Sequence, residues 1–309
     1  AIPLAVMQAY AMITLFSRQS PPIITDLSPL NLILTIAMAT GGTIFLMWLG
    51  ELISEGGIGN GTSMIIFAGI VAGIPQAVQQ AIVSFDTSQI FTYLIFILVG
   101  IVVIAGVVIV TEGQRNIPVS YAKRIRGNRM YGGASSHLPM RVNQGGVIPI
   151  IFALSIMLFP GLIASYLANS PVTWLAGGAQ RLADLFNNQV FYGACYFVLV
   201  IFFTYFYTAV TFEPNSVSEN LQKQGGFIPG IRPGRTTAEY LKKTLNRVTL
   251  AGAVFLGIIA VLPIVVQSFT PVQSMVIGGT GLLIVVSVVI ETVKQVESQL
   301  VMRDYESFY

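Results

Sequence analysis

Residues 90–111 read IFTYLIFILVGIVVIAGVVIVT, twenty-two positions without a charged side chain. A helix of about 20 apolar residues spans the hydrocarbon core of a bilayer. Eight such runs lie along the 309 residues: 1–17, 31–52, 63–83, 89–111, 147–168, 190–212, 248–268 and 273–291. The seventh and eighth are joined by a tight link around Thr270-Pro271. The runs are continuously apolar and do not alternate, which predicts membrane helices and excludes a barrel. Only 9% of the residues are charged, whereas a soluble domain of this size carries about 25%. One large water-soluble core is therefore excluded. The fold class expected is an all-α polytopic membrane protein with eight transmembrane helices.

The single cysteine, Cys195, lies in an apolar run and reads as a packing residue. The chain opens AIPLAVMQAY, with no charged region ahead of its apolar stretch, so this is not a secretory signal. The expectation is a chain that starts within a larger protein, at the edge of a membrane helix.

Lysine and arginine are distributed unevenly. Fourteen of the sixteen fall in the even-numbered links between runs or in the tail, and two in the odd-numbered links. The positive-inside rule then places the even links, both visible ends and the tail in the cytoplasm. This divides the chain into segments. Residues 1–111 hold three membrane helices of an N-terminal half and, at 89–111, the first helix of a C-terminal half. Residues 112–146 form a basic cytoplasmic loop, 147–212 two membrane helices, 213–247 a second basic loop, 248–291 two more helices, and 292–309 a cytoplasmic tail.

Both basic loops are long for structureless connectors, and such loops are usually functional or disordered. In the first, Ile117, Val119 and Tyr121 alternate with polar residues, Gly127-Asn128 reads as a turn, and Met130-Tyr131 restarts a strand. A hairpin results, carrying Lys123, Arg124, Arg126 and Arg129 near its tip. Three roles compete for these cations: holding topology, binding anionic lipid, or docking a polyanion or acidic protein. A hairpin tip lies farther from the lipid than a helix end does, which tilts the balance toward docking.

Ion-coupled transporters usually carry charge within the membrane, where it persists for function. Here Glu51, Glu112 and Glu291 lie at run ends and Asp86 in the third link. The single histidine, His137, has no ligand partner at useful spacing and reads as a loop histidine with a hydrogen bond. GGIGNG at 56–61 lacks the lysine of a phosphate-binding loop. It reads as a tight turn, with Thr62 or Ser63 capping the next helix. Glycines and prolines within the runs (Gly41-Gly42, Gly73, Pro75, Pro149, Pro160, Pro263, Gly278-Gly279) read as close packing and kinks, or as places where helices bend or move. No cofactor motif is present. A passive conduit or scaffold is favoured. A secondary transporter with internal repeats is the alternative, and a membrane-embedded enzyme ranks third; they require a buried carboxylate and a catalytic pair, respectively.

Three stretches carry a family resemblance: GELISEGGIGNGTSMIIFAGIVAGIP (50–75), SSHLPMRVNQGGVIPIIFA (135–153) and FIPGIRPGRTTAEYL (227–241). Together they resemble the SecY family, central subunits of the bacterial protein-conducting channel, along essentially the whole chain. The resemblance implies a ten-helix fold in two pseudo-symmetric halves, of which the eight runs match the third to tenth. The first two helices and the plug between them are then expected to be absent from this stretch.

The resemblance implies a general secretory translocase in the bacterial cytoplasmic membrane. It would conduct unfolded polypeptides across the membrane and, through a lateral gate, into it. Ring residues that would block ions by dewetting fall at Ile66, Ile151 and Ile284. The gate would set the first run against the fifth and sixth, with Gln8 on its face; a plain helix–helix hydrogen bond is the other reading of Gln8. Ribosome or SecA docking would use Lys123, Arg124, Arg126, Arg129, Arg232 and Arg235. Arg232 matches a position important for translocation; its other reading is an arginine that satisfies loop carbonyls. SecE, SecG, signal sequences, nascent chains and membrane lipids complete the implied partners. Where many relatives have a basic residue in the second link this chain has Gly56, which puts that link's share in docking in doubt.

Overall fold

In a computed structural model, the structure describes residues 2–18, 28–57, 59–83, 90–121, 124–126, 129–131, 135–167, 173–269 and 279–306. The chain forms two compact units. One comprises Ala1–Phe85, Leu154–Tyr192 and Ile284–Tyr309; the other comprises Asp86–Ala153 and Gly193–Leu283.

The first unit opens with α1 (Ile2–Arg18), α2 (Pro29–Gly56) and α3 (Gly61–Val83). Ser28 caps α2, its Oγ accepting from the Asn31 N–H at 3.4 Å, and Pro29 supplies a fixed φ at the first helical position. The link between α2 and α3 is a tight turn, as its glycines predict, but its cap is neither Thr62 nor Ser63. Asn60 Oδ1 accepts from the Ser63 N–H at 3.2 Å and from the Thr62 hydroxyl. An asparagine two residues ahead of Thr62 starts the helix earlier than hydropathy shows. The helices α1 and α2 pack together, as do α2 and α3.

The second unit begins with α4 (Ile90–Glu112). The chain then forms β1 (Gln114–Tyr121), β2 (Arg124–Arg126), β3 (Arg129–Tyr131) and β4 (Ser135–Arg141) before α5 (Ile148–Leu167). A helix that hydropathy misses, α6 (Thr173–Asn187), belongs to the first unit. Its 15 residues rise about 22 Å, too short to span a bilayer, and Gln180, Arg181 and Asp184 interrupt its apolar positions. Next come α7 (Gln189–Thr211), α8 (Pro214–Lys223), β5 (Gly226–Phe227), α9 (Arg235–Phe269) and α10 (Gly279–Glu306).

Eight helices thus stand where the eight apolar runs lie. Among the described residues, α2, α3, α4, α7 and α9 are long and apolar enough to cross a membrane, while α1 and α5 are shorter apolar helices. The run 248–268 is only the distal part of α9, which spans 35 residues and begins in a polar stretch. The link at Thr270-Pro271 lies outside the described residues. Among the described residues, a Cβ at Gly41, Gly42 or Gly73 would meet nothing within 4 Å.

Candidate functional site

The two basic loops fold into one small domain within the second unit, which separate readings of each loop do not anticipate. The strand β1 pairs antiparallel with β4 from Gln114↔Arg141 to Ser120↔Ser135. On its other edge it pairs with β5, Ser120 opposite Phe227 and Tyr121 opposite Gly226. The sixth link therefore completes a three-stranded sheet begun by the fourth.

The alternation in β1 produces this. Ile117 and Val119 turn inward and are buried, while Pro118 between them is exposed. They join Met140 of β4, Ile228 after β5, and Leu241 and Leu245 of α9 in one apolar cluster, with Leu138, Phe212, Val217 and Leu221 against it. A further clamp is steric. A Cβ on Gly252 of α9 would run into the carbonyl oxygen of Val142, so only glycine lets the chain after β4 lie on this helix.

The connection FIPGIRPGR is rigidly held. Gly230 and Gly234 have φ of 83° and 99°, a region that side chains rarely enter. The buried hydroxyl of Ser218, on α8, donates to the Gly234 carbonyl at 2.7 Å, and that carbonyl also accepts the N–H groups of Thr237 and Ala238. Thr237 Oγ1 donates to the Arg232 carbonyl at 2.9 Å. The Arg232 backbone is thus fixed while its side chain is exposed. Its guanidinium makes no hydrogen bond or ion pair among the described residues, so Arg232 does not satisfy loop carbonyls. Arg235 is also exposed, with Nε 3.2 Å from Glu239 Oε1; such a pair in water is worth roughly 0–1 kcal/mol.

The hairpin tip has the strand character its sequence predicts. Arg124 lies opposite Tyr131, and Arg126 opposite Arg129 at the last pair before a two-residue connection. Lys123 and Gly127-Asn128 fall outside the described residues. His137 stands on β4 opposite Pro118, exposed and without a hydrogen bond among the described residues. It is a strand residue, not a hydrogen-bonded loop histidine, because the pairing of β1 and β4 extends farther than the alternation reveals.

The remaining candidates are on helices. Gln8 is exposed on α1 and makes no hydrogen bond among the described residues. In the first unit, Ile66 on α3 is 40% exposed and Ile284 on α10 is 7% exposed. In the second, Ile151 is half-buried near the start of α5. Gly56 ends α2, with no basic residue in the last turn of that helix.

Apolar helices of membrane-spanning length, joined to a folded polar loop domain, define a multi-pass membrane protein. Its relatives identify it further. The family model for SecY matches residues 1–293. A protein translocase subunit SecY from Mycobacterium tuberculosis is 46% identical over 322 aligned positions, covering 100% of this chain and 72% of the relative. The corresponding subunit of Thermotoga maritima is 44% identical, covering 97% and 68%. A solved structure described as that of a protein conducting channel superposes with a TM-score of 0.65 at 20% identity, covering 97% of this chain and 71% of the other. A second, described by the SecY plug domain that stabilises the closed translocation channel, has a TM-score of 0.63. The chain belongs to the SecY family. It is a multi-pass channel subunit of the protein translocase in the bacterial cytoplasmic membrane, and not by itself a catalytic enzyme.

Proposed function

We propose that the chain forms much of a pore for unfolded polypeptides and presents a docking face to the partner that feeds it. The observation that carries the docking claim is Arg232, exposed and unpaired among the described residues, on a turn fixed by Ser218, Thr237 and two glycines. A docking cation gains when its backbone is ordered beforehand, since little entropy is then lost on contact. By the family resemblance, Lys123, Arg124, Arg126, Arg129 and Arg235 would contribute to the same docking. Its partner is a ribosome, through RNA phosphates near the exit tunnel, or the ATPase SecA. SecE and SecG complete the translocon.

The pore reading rests on family membership and on side-chain type. Ile66, Ile151 and Ile284 would form an aliphatic constriction that seals by dewetting and imposes no sequence preference on its substrate. Gln8 on α1 would mark the lateral gate, through which an apolar signal sequence exchanges into lipid by burying its apolar surface.

Binding of non-translating ribosomes to membranes containing the full-length protein tests the docking claim. Arg126→Glu/Arg129→Glu should weaken binding and flatten the dependence of log K on log salt by roughly 0.7–0.9 per lost phosphate contact. Unchanged affinity and slope would remove the hairpin from the docking face and return its arginines to topology or lipid.

A further inference from the structure

A groove of about 680 Å³ opens in the second unit between the C-terminal half of α7 and the first turns of α9. Its walls are graded in polarity. Toward the middle of α7 it is lined by Phe202 and Phe206; toward the start of α9, where the chain enters the sheet domain, it carries Arg235, Glu239 and Lys242. Phe202 and Phe206 are 60% and 57% exposed on a helix of membrane-spanning length. The apolar end is therefore continuous with the surface that faces lipid. The polar end adjoins the sheet domain, where the chain leaves the bilayer.

The charge at the polar end is unbalanced. Glu239 is engaged by Arg235, while Lys242 enters no ion pair among the described residues. Two cations against one carboxylate leave a net positive rim suited to a single anionic group. Between rim and floor, Tyr205 ties the helices together, its hydroxyl donating to the Asn246 carbonyl at 3.2 Å. Thr249, which lines the groove, is 2% exposed, and its hydroxyl has no partner among the described residues. In contrast, Thr204 and Thr208 on the facing helix each donate to the carbonyl four residues back, at 2.7 Å. Burial without a partner is costly for a hydroxyl.

We propose that this groove holds one anionic phospholipid, its acyl chain on Phe202 and Phe206 and its phosphate at Lys242 and Arg235. The occupant must be amphiphilic because the groove is, and it enters from the bilayer because the apolar end opens there. The volume is within the range of about 300–1,000 Å³ usual for small-molecule sites.

The test uses the full-length protein in its complex, in phosphatidylcholine vesicles doped with phosphatidylglycerol bearing a photoreactive diazirine on its acyl chain. Adducts are mapped by peptide mass spectrometry, with α4, an open apolar helix, as internal reference. Enrichment on peptides of residues 202–212 and 235–249 is expected. Arg235→Gln and Lys242→Gln should each reduce it about fivefold, and Ala209→Trp should fill the groove and abolish it. A diazirine phosphatidylcholine should show little enrichment, and added inorganic phosphate should not compete.

Labelling equal to that of α4 would overturn the proposal, as would labelling indifferent to the two charge removals. Competition by inorganic phosphate would reassign the rim to a free anion. Labelling that appears only after partner subunits are stripped away would show that a polypeptide occupies the groove. The charge removals alter exposed side chains, so the test survives a failure of Ala209→Trp to fold.

Discussion

The helix α4 and the sheet that follows it in the same unit use apolar residues in opposite ways. Over α4, Phe91 and Ile109 are 76% and 70% exposed, and only Tyr93, Val103 and Val107 are buried. A few residues on, Ile117 and Met140 are buried almost completely in a cluster gathered from four separate chain segments. Apolar side chains on α4 need only hydrocarbon around them, so a helix with satisfied backbone hydrogen bonds is sufficient. Those of the sheet domain adjoin water and must be buried by the protein itself. Damage to the two regions should therefore differ in size and in reach.

The largest effect is expected from Met140→Asp. An unpaired carboxylate in that cluster should cost about 4 kcal/mol. Hydrogen exchange in the reconstituted protein should show β1, β4 and β5 losing protection while α4 keeps its own. Equal loss in α4 would mean that the two regions fold as one cooperative element.

Gly252→Ala comes next. Its Cβ would press on the Val142 carbonyl, a backbone group that cannot swing aside as a flexible side chain could, and overpacking of this kind costs roughly 1–3 kcal/mol. The melting temperature in detergent should fall. Gly41→Ala is the matched control: it meets nothing within 4 Å and should leave the melt unchanged or slightly raised by helix propensity. If both variants melt alike, the clamp between the chain after β4 and α9 contributes nothing.

The smallest effect should follow Ser218→Ala, which deletes the 2.7 Å bond to the Gly234 carbonyl. A net loss of about 1 kcal/mol is expected. Because proteolysis samples the opened state, trypsin cleavage at Arg235 should rise about fivefold. An unchanged rate would show that the two glycines and Thr237 hold the turn without α8.

Much of this fold was legible in the sequence. Runs of apolar residues locate membrane helices because bilayer thickness sets their length. The alternation at Ile117, Val119 and Tyr121 located β1 because a strand has a period of two, and the restart at Met130-Tyr131 located β3, but the return strand of β1 is β4, and β3 pairs with β2 instead. The helix α6 escaped because its apolar positions are interrupted and it is too short to span. The Asn60 cap escaped because helix starts depend on a single hydrogen bond. Arg232 was visible as part of a motif, but neither its exposure nor its lack of a partner among the described residues could be read from the residues alone.

The class of the protein and the number and order of its apolar runs can be read from residue order alone, since both follow from the partition of side chains between lipid and water, a property of composition and local spacing. That β5 joins β1, that Gly252 must admit the Val142 carbonyl, and that Thr249 is buried beside an aromatic groove with a basic rim emerges once the chain is packed. Each depends on contacts between residues many positions apart, whose meeting is settled by packing and hydrogen-bond geometry rather than by any local pattern.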